Sequence, residues 1–128
     1  MINVAAGIIL KGNKVLVAKR PNDKHQGGLW EFPGGKMEKD ESPFQALVRE
    51  LKEELGIRIK DARPLKDLNY QYSDKKVRLF FFTINSFEGQ AKGLEGQQIQ
   101  WVELQKLHLL EFPAANQVIV NLLQHGNY

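Results

Sequence analysis

Cysteine is absent from this chain of 128 residues. Its absence excludes disulfide bridges and thiolate metal sites, and it fits a reducing compartment, so a cytoplasmic protein is expected. A membrane-length apolar run is missing as well. The opening segment MINVAAGIIL (residues 1–10) is too short to span, carries no basic leader or cleavage signature, and reads as a first strand. No repeat, low-complexity tract or linker divides the chain, so a single domain over residues 1–128 is expected. The phosphate-cradling pattern GxxxxGK[ST] does not occur, and His25, His108 and His125 stand apart, which argues against a histidine-rich metal site. Net charge is only +3, with scattered lysines and no basic, aromatic-laced stripe. Neither nucleic acid nor a membrane is therefore expected as a partner, and nothing calls for a protein partner, so a monomer is expected.

What is present is an ordinary globular composition, 42% hydrophobic and 26% charged. Residues 4–10 and 14–19 are β-rich runs joined through Lys11-Gly12-Asn13, a predicted hairpin. A loop at residues 25–28 leads to a short extended piece, 29–32, and then to a tight Pro33-Gly34-Gly35 turn. Strands are also predicted over 67–72, 77–85 and 98–103, the first two joined by Ser73-Asp74-Lys75-Lys76. Residues 114–124 form an amphipathic helix entered from Pro113, with Val118, Leu122 and Leu123 predicted to face inward.

The densest signal lies in residues 35–57, GKMEKDESPFQALVRELKEELGI. Ser42 can cap a helix, with Pro43 at its first position and Gln45 placed for a capping box. Gly56 follows Leu55 as a left-handed stop. Phe44, Leu47, Val48, Leu51 and Leu55 make the predicted docking stripe. Off that stripe, Glu50, Glu53 and Glu54 project from one edge and repel one another. A hard divalent cation turns this repulsion into attraction, because it takes carboxylate oxygens. With no other catalytic apparatus in view, Mg2+ (or Mn2+) and a polyphosphate substrate are the natural partners. Arg49, with its planar fork of donors, is suited to orienting carboxylates. Two helices with opposite docking faces among these strands imply an α/β fold, a central mixed sheet with a helix on each side.

The same segment resembles the Nudix box: Gly, five residues, Glu, seven residues, Arg-Glu-apolar, one residue, Glu-Glu, one residue, Gly-apolar. Gly35, Glu41, Arg49, Glu50, Leu51, Glu53, Glu54, Gly56 and Ile57 fill every specified position. Seven fixed identities would coincide by chance roughly once in 10^8 windows at ordinary residue frequencies. The resemblance implies the Nudix α/β/α sandwich. It also implies metal held by Glu50, Glu53, Glu54 and the Gly35 carbonyl, although Gly35 also reads as a turn glycine with positive φ.

Outside the box, short motifs resemble one branch of that family, which cleaves oxidised purine nucleoside triphosphates such as 8-oxo-dGTP. WEFPGGK (30–36) leads into the box and carries Glu31 and Phe32; LEGQ (94–97) brings Glu95 as a further metal ligand; EFPAAN (111–116) ends on Asn116. Arg20, His25 and Asp74 also fit that branch and are expected near the substrate. By resemblance, a metal-activated water attacks the β-phosphorus, with Glu53 as general base and Glu41 and Glu95 as rivals. The amide of Asn116 can pair with the O6 and N7 edge of a purine. In 8-oxoguanine N7 is a donor; in guanine it is an acceptor, and a buried amide oxygen facing it costs about 1–3 kcal/mol. Asn116 reads alternatively as a helix N-cap, Phe32 as core and Arg20 as a solvated strand end. Lys75 and the Phe80-Phe81-Phe82 run depart from the branch pattern at the pocket rim and strands and leave the metal positions intact. The rival expectations are hydrolysis of another nucleoside triphosphate, pyrimidine or canonical, and a binding module that has lost catalysis. The stacked glutamates oppose the latter.

Overall fold

A computed structural model describes residues 1–22 and 27–128. At its centre is β1 (Ile2–Lys11), whose side chains alternate between two cores. Ala6, Ile8 and Leu10 enter one, and Ala5 and Ile9 the other. A two-residue turn pairs Lys11 with Lys14 and returns the chain along β2 (Lys14–Lys19), as the hairpin signal predicted. β3 (Trp30–Glu31) and β4 (Gly34–Lys36) follow, then α1 (Pro43–Leu55), β5 (Arg58–Gln71), β6 (Lys76–Glu88), β7 (Ile99–Glu103), a 3-10 helix (Leu104–Leu109) and α2 (Ala114–Gln124).

The sheet runs β3-β2-β1-β6-β5, with β4 also paired to β1 and β7 to β2. Among the described residues only β1 and β6 are parallel, from Ile2 opposite Val77 to Ile9 opposite Ile84; the other pairings are antiparallel, so the sheet is mixed as expected. α1 covers one face through Leu47, Leu51 and Leu55, and α2 covers the other through Ala115, Ile119 and Leu123. The chain is an α/β/α sandwich.

α1 begins and ends where its signals place it. Ser42 accepts from the Gln45 backbone N–H, Gln45 reciprocates to the Ser42 N–H, and Gly56 closes the helix at φ 72°. The docking stripes differ from expectation. Phe44 is 45% exposed and packs edge-on against Phe82, Val48 is half-buried, and Ala46 replaces them in the core. On α2, Val118 is 40% exposed and Leu122 half-buried, while Ala115, Ile119, Val120 and Leu123 are buried. The buried set follows the 115/119/123 row, and Val118 lies about 100° around the helix from Ile119. Size and hydrophobicity alone do not pick out the buried face, which includes the small, fully buried Ala46 and Ala115.

Two further differences concern strands. β5 starts at Arg58, well before residue 67. Its first half is polar and holds Pro64, which a sheet-edge strand tolerates, and register shifts near Asp61 and Pro64 break the simple alternation. The Pro33-Gly34-Gly35 turn is likewise a strand: Gly34 and Gly35 lie in β4 opposite Ala6 and Ala5. A Cβ on Gly34 would collide with the Ala5 backbone.

Candidate active site

A cleft of about 680 Å³ opens beside β1 and β4, within the size range of small-molecule sites. Part of its lining is carboxylate: Glu50 and Glu54 from α1, Glu95 from the loop before β7, with Gly35 from β4. Another part suits a flat ring: Phe32, Tyr72, Leu79, Pro113 and Asn116.

Gly35 is not a positive-φ glycine, contrary to the turn reading. It is small because Glu50 leans on it, and a Cβ there would lie within 2.6 Å of three atoms of the Glu50 carboxyl group. Arg49 is bonded to the acids around it. Its Nε donates to Glu41 Oε2 at 2.8 Å and its Nη2 to Glu41 Oε1 at 2.9 Å. Nη1 donates to Glu50 Oε1 at 2.9 Å, and Nη2 also reaches the Lys36 carbonyl at 3.0 Å. The Arg49 hydrogen bonds, then the Glu38 backbone N–H, pull the Glu41 carboxyl down to about 2.

Glu50 and Glu54 shift the other way. Burial is the main cause for both, and the Arg49 partner offsets it at Glu50. At Glu54, burial and then the charges of Glu50, Glu31 and Glu95 push the carboxyl up to about 8, against the Gly34 backbone N–H. Glu54 Oε2 is buried without a hydrogen-bond partner among the described residues. Glu53 is half exposed, lies 3.5 Å from Arg49 Nη1 and does not line the cleft.

The loop carrying Glu95 is tied to the end of α1. Leu94 N–H and Gln97 Nε2 each donate to the Glu54 carbonyl at 3.0 Å, and Gln97 Oε1 accepts from the Glu95 backbone N–H at 2.9 Å. Gln97 was missed as a functional residue, although it stands in the LEGQ motif.

Asn116 is 8% exposed and lines the cleft. It is not a cap. Pro113 holds the N-cap position, and Asn116 lies inside the first turn, its side-chain amide making no hydrogen bond among the described residues. Phe32 belongs both to the core and to the cleft: it is buried, stacks on Phe112 at 5.2 Å and meets Phe81 edge-on. Arg20 pairs with Glu31 at 2.7 Å, and burial, partly offset by Arg20, raises the Glu31 carboxyl. Tyr72, also missed, accepts a hydrogen bond from the Ala115 backbone N–H at 3.3 Å; no periodicity pointed to it. Asp74 lies exposed in the turn before β6 and does not line the cleft, and His25 falls outside the described residues.

Among the described residues, no three Asp, Glu or His side chains converge closely enough to enclose a metal ion. The donor set nevertheless fits a hard cation. It is all oxygen, Glu54 offers a buried oxygen without a partner, and Gly35, lacking a side chain, lets the Glu50 carboxyl group lie against its main chain.

Sandwich, carboxylate edge and ring-sized cleft together define a protein built to hold an anionic small molecule beside oxygen ligands. The chain belongs to the NUDIX domain family, whose model matches residues 5–122. It is 37% identical over 124 residues to the 8-oxo-dGTP diphosphatase of Escherichia coli K12, covering 96% of each chain. It is 40% identical over 115 residues to the CTP pyrophosphohydrolase of the same organism, covering 90% of this chain and 84% of that one. A solved MutT structure, from work on Aliivibrio salmonicida and Vibrio cholerae, superimposes with a TM-score of 0.88 at 38% identity over 98% of each chain. Among the described residues no helix is long and apolar enough to cross a membrane.

Proposed function

We propose that this chain is a Mg2+-dependent pyrophosphohydrolase of oxidised purine nucleoside triphosphates, converting 8-oxo-dGTP to 8-oxo-dGMP and pyrophosphate. Such an activity removes a mutagenic precursor before replication. We place the protein in the cytoplasm as a monomer, with its nucleotide as partner. The observation that carries this reading is one cleft walled by Glu50, Glu54 and Glu95 and also by the buried amide of Asn116.

Glu50, Glu53, Glu54, Glu95 and the Gly35 carbonyl would hold Mg2+, with Mn2+ a possible substitute. When bound, such a cation neutralises phosphate charge and lowers the pKa of a nearby water. The chain's own residues supply the rest. Asn116 offers its amide oxygen to the N7 hydrogen of the oxidised base and its NH2 to O6. Phe32 packs beneath the ring, and Arg20, oriented by Glu31, closes the pocket near the base. Water adds to the β-phosphorus, and the bond from that phosphorus to the oxygen bridging the α-phosphate breaks. The bridging oxygen leaves with the monophosphate.

We assign the proton acceptor to Glu53. Glu41 is a poor base with both oxygens bound by Arg49 and its carboxyl held near 2. Glu53 is half exposed and has one long contact with that arginine. Glu95 is the remaining rival. Glu53→Gln should fold normally and lose orders of magnitude in kcat; near-normal turnover would remove Glu53 from the role.

A second reading has its own support in the likeness to a CTP pyrophosphohydrolase. One assay separates the two: kcat/KM for 8-oxo-dGTP, dGTP, dCTP and a 5-substituted dCTP with Mg2+. The oxidised purine should lead. A tenfold preference for dGTP or a pyrimidine would sink the base assignment while leaving pyrophosphohydrolysis in place.

A further inference from the structure

Helix α2 enters the cleft without a cap of its own. Pro113 holds the N-cap position and offers no side-chain acceptor, so the first-turn N–H groups need partners from elsewhere. Asn116 N–H turns back to the Pro113 carbonyl at 2.9 Å. Ala115 is fully buried, which makes water a poor partner for its N–H; that group donates instead to the Tyr72 hydroxyl, 43 residues away in sequence, at 3.3 Å. Tyr72 is itself anchored. Its backbone N–H donates to the Lys75 carbonyl at 2.8 Å, closing the turn between β5 and β6, and its ring lies 4.7 Å from that of Tyr70.

We infer that Tyr72 is a positioning residue for base discrimination: its hydroxyl caps α2 and thereby sets the direction of the neighbouring Asn116 amide. The inference rests on the assignment of Asn116 as the base reader. An amide distinguishes a donor from an acceptor at N7 only while its oxygen and nitrogen keep their placement, and the first turn of α2 carries that amide. Tyr72 and Asn116 line the same cleft, so the tie runs along its wall.

Tyr72→Phe keeps the ring and removes the tie. The kcat/KM ratio of 8-oxo-dGTP to dGTP should fall fivefold or more, mostly through KM for the oxidised nucleotide. In an Asn116→Ala background the same change should leave the ratio within twofold, which loss of general stability would not produce. Without ligand, amide hydrogen exchange at Ala115 should speed up tenfold or more. An unchanged ratio, an equal fall in both backgrounds, or unchanged exchange at Ala115 overturns the inference. If the wild-type protein shows no preference for 8-oxo-dGTP, the base assignment has failed instead. The exchange result, and the ratio of the preferred nucleotide to its nearest competitor, then decide the role of Tyr72.

Discussion

Gly35 and Glu50 occupy one space: any β-carbon at position 35 would lie within 2.6 Å of the Glu50 carboxyl atoms. Glycine here makes room for a functional group rather than for an unusual backbone angle. Gly35→Ala should displace the Glu50 carboxyl group, which can swing away at little cost in stability, with kcat/KM down by about two orders of magnitude, since roughly 1 Å of misplacement has that effect. Thermal melts and steady-state kinetics check it; activity within threefold of wild type would mean the approach has no catalytic consequence.

Arg49 and Glu41 form the second relationship. A carboxyl held near 2 in the fold and near 4.5 when unfolded adds stability that is complete above about pH 4.5 and is lost as pH falls toward 2. Urea midpoints should therefore decline through that window. Arg49→Lys, which loses the two-pronged grip, should lower the midpoint at pH 5 and flatten the decline. A wild-type-like profile in the variant would assign the acid sensitivity to other groups.

Glu54 makes the opposite prediction. With its carboxyl raised to about 8 in the fold, the metal-free folded state retains a proton that the unfolded chain releases near 4.5. Stability of the metal-free protein should fall as pH rises from about 4.5 to 8. Mg2+ should restore it most strongly at the alkaline end, where the carboxylate is bare, and by mass action the melting temperature should climb with Mg2+ concentration. Glu54→Gln should remove most of both effects. Melting curves in EDTA and in Mg2+ at pH 5 and pH 8 test this; equal Mg2+ stabilisation at both values, in wild type and variant, would contradict it.

Gln97 bridges Glu95 and the end of α1 with one amide. Gln97→Ala should release the Glu95 loop, lower kcat about tenfold as loss of an outer-shell partner typically does, and change KM little. Gln97→Glu keeps the acceptor for the Glu95 N–H but loses the donor to the Glu54 carbonyl, so it should rescue only in part. Kinetics of both variants, with amide exchange at Glu95, measure the effect.

Much of this molecule was readable before folding. α1 starts at Pro43 and stops at Leu55 because Ser42, Gln45 and Gly56 are local signals that act within one turn. The hairpin at Gly12 is local in the same sense. The docking stripes were less legible: Phe44 and Val118 look like core residues, yet each overhangs its sheet. The first half of β5 hid behind its polarity, because an edge strand with bulges needs no strict alternation.

By itself, the sequence determined the chemistry: the carboxylates of α1, their spacing and their caps lie within 23 consecutive residues, and helical geometry alone puts them on one edge. Only the tertiary structure decided how those groups differ from one another. Glu41 is held low by Arg49, Glu54 is driven high by burial, and Glu53 stays at the solvent edge, though all three are glutamates of one motif. The same holds for the cleft, where Tyr72 meets α2 across 43 residues of chain. Desolvation and hydrogen bonding at a site depend on what the fold brings beside it, and chain-distant neighbours leave no periodic trace in the sequence.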